Sequence, residues 1–446
     1  MTRPDTPPTV PTTPAPGPRA AVDRLLRQRA AQVASDAERR RDVWSSPLTR
    51  RRLLAGAGVA GASSLVTTRA SFAAPGAQAA DGTLVVVFLR GGMDGLSAVV
   101  PAEDPELLSA RPNLAVRGPS LLTLDRGFGL HPGLAAFHDL WKKGQFTAVP
   151  AVSTPDISRS HFQAQDCLER GGATTGTTEG WLDRVLDRLG PGTTFRAVGQ
   201  GFGMQRSLTG DQPTISLAQA EQFKIGGWEE IRPRTVAALT TLYTGIDLDL
   251  THDVNTTLSA LATVEELATN TPLSEGYPDN EFARGLAELA RLIKAGTGLR
   301  VAAIDMNGWD THAHQGSPDD GNMKRLYEEL STSLGRFATD LGDRLDKVTV
   351  VVMTEFGRRI DENASNGTDH GHGACVMMMG GGLNGGTVHG NWQGLAPGVR
   401  DQGDVPGSND YRNVLGDVVT GRLGLSSADM AAVFPNHRYE PLGIMR

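Results

Sequence analysis

The chain has 446 residues, 54 of them glycine and only two cysteine, with a formal net charge of −7. Two cysteines exclude a disulfide-stapled scaffold, and the length accommodates one large α/β domain with additions or two to three average ones. The charge is uneven: residues 1–80 hold 12 Arg and no Lys against 5 Asp and Glu, which leaves the remainder at −14. So acidic a body repels phosphate over most of its surface and excludes nucleic acid as a partner.

In chain order, residues 1–19 are rich in Pro and Thr and are expected to be disordered. Residues 20–41 read as an Arg- and Ala-rich helix. Thr49-Arg50-Arg51-Arg52-Leu53-Leu54 then leads into the weakly apolar run 55–66, with small residues at Ser71-Phe-Ala73 and Ala77-Gln-Ala79. A basic stretch, a short apolar run and a small-residue cleavage site form an export signal, and adjacent arginines give it the twin-arginine character. The run, about fourteen residues when counted from Leu53, is shorter than the ~20 needed to span a bilayer, so no stable membrane span is expected after cleavage. Residues 1–80 are therefore assigned to a disordered region plus signal, and 81–446 to the working domain. The expected location is the periplasm, the cell envelope or the exterior, and the export machinery is an expected partner.

From residue 82 onward, continuous apolar runs at 84–89, 146–152, 299–304, 348–353 and 374–379 read as strands buried on both faces. Helical periodicity at 134–143, 280–295 and 323–345 separates them. Strands alternating with helices predict an α/β fold with a mostly parallel central sheet and helices on both faces. Between about 176 and 275 the strand signal thins. Helices are expected there at 181–189, 235–243 and 255–268, so this segment reads as a helical insertion, a cap or lid. Helices at 411–422 and 427–433 close the chain.

The chemistry-bearing residues follow these strands, where ligands bind in open α/β sheets. Asp94 follows the first, in Arg90-Gly-Gly-Met-Asp94-Gly. Ser160 follows the second, as the first residue of a Ser-x-x-Gln capping box. At a helix N-terminus its hydroxyl could serve as a nucleophile, beside Arg159 as a fork for a tetrahedral anion. His161 is left without a firm role. Asp310-Thr-His312-Ala-His314 follows the third strand. Either histidine can join Asp310, from an extended segment or from a helical turn. Glu355 and Arg358 follow the fourth strand. Asp369-His370-Gly-His372 precedes the next, its glycines permitting the sharp turn an adjacent ligand pair needs. His372 and His389 compete for a last position. Carboxylates and imidazoles gathered this way suit a divalent metal.

Several motifs recur here as an ordered set. They are Arg90-Gly-Gly-Met-Asp94-Gly, Arg159-Ser160-His161-Phe162 through Gln165-Asp166, and Gly308-Trp309-Asp310-Thr311-His312. Thr354-Glu355-Phe356-Gly357-Arg358, Gly367-Thr-Asp369-His370-Gly and Gly380-Gly-Gly-Leu-Asn-Gly-Gly386 follow. The set, spanning about 82–440, resembles the exported bacterial family DUF1501, itself similar to the alkaline phosphatase and sulfatase superfamily. That resemblance implies an alkaline phosphatase-like fold and one or two divalent ions, zinc first, with manganese or calcium as alternatives. It implies Asp94, Asp369 and His370 at one ion together with Ser160. Asp310, His314 or His312, and His372 would hold the other. The expected function is an exported metal-dependent hydrolase of small phosphate or sulfate esters with Ser160 as nucleophile. The alternative is a non-catalytic binding or envelope-maturation protein that keeps the fold, with an envelope component as its partner. A glycosidase working through paired carboxylates lacks a convincing acid pair.

Overall fold

Strand β1 (Thr83–Leu89) explains the architecture, because none of its residues is exposed. Its side chains alternate between two cores: Val85, Val87 and Leu89 point into one, Leu84, Val86 and Phe88 into the other. Only a strand covered on both faces tolerates such a run, which is why the sequence lacks polar alternation here. The structure is a computed structural model. It describes residues 82–172, 178–201, 203–225, 230, 232–243 and 249–446, the side chains of 249–253 and 255 excepted. The expected signal at 1–80 lies outside these residues.

The other main-sheet strands are β2 (Phe146–Ser153), β3 (Ala197–Gln200), β4 (Ile215–Leu217), β5 (Val301–Met306), β6 (Val348–Met353), β7 (Ala374–Gly380) and β8 (Asn409–Asp410). They lie in the order β8-β2-β7-β6-β1-β5-β3-β4. All neighbours are parallel except β7, which runs antiparallel to both β2 and β6. The reversal matters for function. It brings the loop before β7 to the edge where the other strands end.

Helices α1 (Ala135–Lys142), α6 (Glu281–Lys294) and α7 (Asn322–Leu341) supply Phe137, Leu286, Leu330 and Phe337 to one core. On the opposite face α3 (Trp181–Leu189) and α8 (Tyr411–Leu423) supply Trp181, Val185, Val414 and Val418. Helix α2 (His161–Glu169) follows β2. A small antiparallel sheet of Val99–Pro101, Phe128–Leu130 and Leu122–Thr123 stands apart from the main one. This is a mixed α/β fold with a mostly parallel sheet between helical layers, as expected.

Within 176–275 the expected helices form as α3, α4 (Arg232–Tyr243) and α5 (Asp249–Asn270). The segment also contains β3 and β4, which extend the sheet's edge and were not anticipated. At four and three residues they are too short to show a period. Residues Ile225–Asn255 belong to a separate compact unit; all other described residues belong to the large one. No helix among the described residues is long and apolar enough to cross a membrane.

Candidate metal centre

Three imidazoles and one carboxylate meet at the carboxyl edge of the sheet. His161 is the first residue of α2, Asp310 and His312 lie on the loop after β5, and His370 lies on the loop before β7. His312 Nε2 and His370 Nε2 are 2.9 Å apart, and each lies 3.2 Å from Asp310 Oδ1. His161 Nε2 is 3.4 Å from Asp310 Oδ2. Ligand atoms of His161, Asp310 and His370 all fall within 4.8 Å of one another, the one such group among the described residues.

What the other ring nitrogens do is more telling. His370 Nδ1 meets the carbonyl oxygen of Arg159 at 2.9 Å, His312 Nδ1 meets Asp369 Oδ1 at 3.0 Å, and His161 Nδ1 meets Glu355 Oε1 at 2.8 Å. Each partner is an acceptor, so each Nδ1 carries the proton and each Nε2 turns a lone pair inward. Two lone pairs at 2.9 Å repel unless a proton or a cation lies between them. His161 Nε2 is buried with no hydrogen bond of its own; its approach to Asp310 is an ion-pair distance without hydrogen-bond geometry. Imidazoles whose second nitrogen is fixed by a carboxylate or carbonyl are the usual metal-binding arrangement. A tetrahedral ion with ligands at about 2.0–2.2 Å needs donor separations of roughly 3.3–3.6 Å. The contacts of His161, His312 and His370 with Asp310 lie at 3.4, 3.2 and 3.2 Å, and the group gathered within 4.8 Å is His161, Asp310 and His370, without His312. The donor set fits a divalent ion such as zinc.

The electrostatics suit the same role. Burial pushes the Asp310 carboxyl up, but the hydrogen bond and the charge of the Arg358 guanidinium outweigh it and hold the group at about 2. Asp310 therefore stays anionic. The hydrogen bond to Glu355 raises His161 against the effect of burial, whereas burial lowers His370. Glu355 is itself pushed up by burial, yet the donors His161 and Gln165 keep it below its ordinary value.

Arg358 holds the loops in place. Its side chain is fully buried, and it donates to the carbonyls of Gly92 (2.6 Å), Gly91 (2.5 Å), Trp309 (3.1 Å) and Thr368 (2.8 Å), and to Asp310 Oδ1 (2.7 Å). The Arg90-Gly91-Gly92 turn can approach this closely because Gly91 has φ +123°, open to glycine. A methyl group there would stand 2.6 Å from the Asp310 amide nitrogen.

The expected site residues fall into three groups. Asp310, His312 and His370 come together in one cluster, where the resemblance implied His370 at one ion and Asp310 with His312 or His314 at another. Asp369 reaches the cluster only through His312 Nδ1; its Oδ1 also accepts from Asn363 at 3.1 Å, so it orients the His312 ring. Asp94 lies apart from the cluster: it is wholly buried, paired with Arg111 at 2.6 Å and bonded to Ser97 and Gln315. His314, at φ 53°, is exposed and joins none of these bonds. His372 binds Asp401 (2.8 Å) and the Thr154 carbonyl, and His389 binds the Asn384 carbonyl, and neither contacts the cluster.

Arg159 also differs from its expected role. Its guanidinium is bound to buried Asp404 at 2.5 and 2.9 Å, and only its backbone carbonyl serves the cluster. Ser160 is the N-cap of α2 without a side-chain capping bond, so the capping box does not form and its hydroxyl is uncommitted. It lies between two residues that contact the cluster. Sequence reasoning left His161 without a firm role and did not identify Glu355 as its anchor. Their placement after β2 and β6 was the available signal.

Among solved structures, the chain is similar to the lipoteichoic acid synthase LtaP from Listeria monocytogenes, at 9% identity with 80% of this chain and 75% of that chain covered and a TM-score of 0.35. It is also similar to the alkaline phosphatase of the Antarctic bacterium TAB5 (10% identity, 67% and 92% covered, TM-score 0.27). A third is the lipooligosaccharide phosphoethanolamine transferase A of Neisseria meningitidis (10% identity, 79% and 60% covered, TM-score 0.30). No curated protein matches. Residues 146–406, more than half of the chain, match the family described as a protein of unknown function, DUF1501, and the chain belongs to that family.

Proposed function

We propose that this protein is a metal-dependent hydrolase of phosphate or sulfate esters, exported from the cytoplasm, with Ser160 as nucleophile. The observation that carries the metal reading is the facing pair of His312 and His370 Nε2 atoms, both of whose Nδ1 atoms are already committed. His161, His312, His370 and Asp310 would hold one ion. When bound, it would polarise the ester oxygens and favour the ionised form of a nearby hydroxyl. The chain's own residues supply the rest. Ser160 Oγ is free of capping duty at the start of a nine-residue helix whose first N–H groups favour an anion. Its attack on phosphorus or sulfur would release the alcohol, which takes up a proton, and water would then cleave the seryl ester. Arg358 keeps Asp310 charged throughout. Export is supported by the arginine-led segment 50–66.

One observation favours a second reading, a binding protein without turnover: Arg159, the cation nearest Ser160 in sequence, is already neutralised by Asp404. Metal analysis with turnover of aryl phosphate and sulfate separates the two. The hydrolase reading expects about one bound equivalent, its loss in His370→Ala, and turnover abolished by Ser160→Ala. Metal without turnover over a broad ester panel would leave the binding reading. Full activity in Ser160→Ala would remove the nucleophile.

A further inference from the structure

One buried carboxylate ties together three of the loops that build the cluster. We propose that Asp404 is a positioning residue for this site. It holds Arg159 in a left-handed turn, which keeps the Arg159 carbonyl on His370 Nδ1 and starts α2 where His161 reaches Asp310. The effect on a bound ion rests on the metal reading given above, and the pinning rests on hydrogen bonds alone.

Arg159 has φ +55°. That conformation is unfavourable for a residue with a Cβ and persists only where its surroundings enforce it. Here both ends of the residue are held. Its Nε and Nη2 donate to Asp404 Oδ2 at 2.9 and 2.5 Å, and its carbonyl oxygen accepts from His370 Nδ1 at 2.9 Å. The next two residues are Ser160, the N-cap of α2, and His161, its first residue. The turn at Arg159 therefore sets the direction in which α2 departs. Releasing it would shift His161 and the carbonyl that fixes the His370 ring together.

Asp404 can act as the anchor because it is itself immobilised. Its side chain is fully buried. It closes a two-residue hairpin turn in which Gln402 and Gly403 have φ 54° and 92°, positive at both positions as such tight turns require. Asp401 and Asp404 bond each other's backbones at 2.9 and 3.0 Å across it. Arg359 Nε lies 3.4 Å from Asp404 Oδ1, and its Nη1 donates to the Gln402 carbonyl at 2.9 Å. The Val405 carbonyl accepts from the Gly373 amide at 3.0 Å. The turn is thus joined to the loop after β6, which carries Arg358, and to the loop before β7, which carries His370. A carboxylate buried this deeply must be paired. That demand commits the Arg159 guanidinium to Asp404 rather than to a substrate anion.

The test titrates zinc into the full protein against a chelator, with folding followed by circular dichroism. Asp404→Asn should lower zinc affinity about tenfold, as the loss of a ligand's support does. Two double variants remove the buried charge together with its partner, so they stay informative if Asp404→Asn alone folds poorly. Of these, Arg159→Gly with Asp404→Asn should bind zinc about fivefold more tightly than Arg159→Ala with Asp404→Asn, because glycine adopts φ +55° without strain. Equal affinity in the two, or parental affinity in Asp404→Asn, would overturn the proposal. Trypsin gives a readout that needs neither metal nor turnover. It should cut metal-free Asp404→Asn after Arg159 about tenfold faster than the parent, with cleavage after exposed Arg206 unchanged. An unchanged rate after Arg159 would show that Asp404 does not pin it. On an aryl phosphate, the double variant with glycine should keep the parent's KM; a KM raised tenfold would return Arg159 to the anion and overturn the proposal. The predicted zinc affinities in a protein without turnover would keep the positioning role and sink the hydrolase. Faster cleavage in a protein that binds no zinc would keep the pinning and sink the metal reading.

Discussion

His161 shows how one residue depends on a partner far away in sequence. Glu355 Oε1 receives His161 Nδ1, Gln165 Nε2 at 2.9 Å and the Gly91 amide at 2.9 Å, while Oε2 accepts from Thr354 at 2.9 Å. Glu355→Gln keeps the shape but replaces one carboxylate oxygen with a donor. Losing such an anchor costs about 10–100-fold in metal affinity, the loss expected by chelator competition with the fold retained by circular dichroism. Unchanged affinity would show that His161 does not ligate. A second residue makes a pH prediction independent of the site. His131 is 3% exposed, accepts the Gly133 amide at its Nδ1 (3.0 Å), and is lowered by burial to about 4. Its folded value lies below the unfolded one, so its contribution is complete above pH ~6.5 and is lost as pH falls through 4. Over that window the loss is about 3 kcal/mol. His131→Asn keeps an acceptor and should flatten this part of the stability profile measured by urea unfolding. A slope unchanged in the variant would assign the effect to other groups.

At the scale of elements, the two ligand loops stand on a buried polar support. Asp94 Oδ2 accepts from Arg111 and from Gln315 Nε2 at 2.7 Å, and Gln315 Oε1 accepts from Thr311 at 3.1 Å and Thr368 at 2.9 Å. Asp94 thus reaches the loops of His312 and His370 through Gln315. Breaking a fully buried ion pair from one side costs about 3–5 kcal/mol. Asp94→Asn should therefore lower the thermal midpoint markedly while metal per folded molecule stays unchanged at low temperature. Lost metal with an unchanged midpoint would make Asp94 a ligand. This support also marks where sequence reading stops. The glycine-flanked Asp94 after an apolar strand looked like a ligand because its environment is open in sequence; Arg111, seventeen positions on, carries no signal that the two pair. His314 shares the Asp-x3-His spacing of a helical turn, but the loop is not helical, and His314 sits at φ 53° with its side chain exposed. What was legible was the edge of the sheet at which the polar residues collect. The choice among neighbouring imidazoles depends on backbone turns that a ligand motif does not encode.

Across the whole molecule, one property governs both which strands could be read and how they should behave. β1, β6, β7 and most of β2 and β5 are covered on both faces, and their apolar runs located them within two residues. β4 and β8 form the sheet's two edges, and β3 adjoins β4. None of the three exceeds four residues, and β8 reads simply Asn-Asp. They hold because a long neighbour supplies the pairing, as β5 does for β3 and β2 for β8. Strands that rely on borrowed pairing open before the strands that lend it. Native-state hydrogen exchange should therefore place the amides of β1 and β6 at the global unfolding free energy, with β4 and β8 exchanging through smaller openings. β3 should fall between, since it pairs on both sides but over few residues. If β4 and β8 were as protected as β1, the sheet would open as one unit and the ranking by coverage would fail. The ligand loops leave from β5 and β6 and lead into β7, all within the covered interior of the sheet. Protection concentrated there would explain how loops rich in glycine can keep three imidazoles within hydrogen-bond distance of one carboxylate.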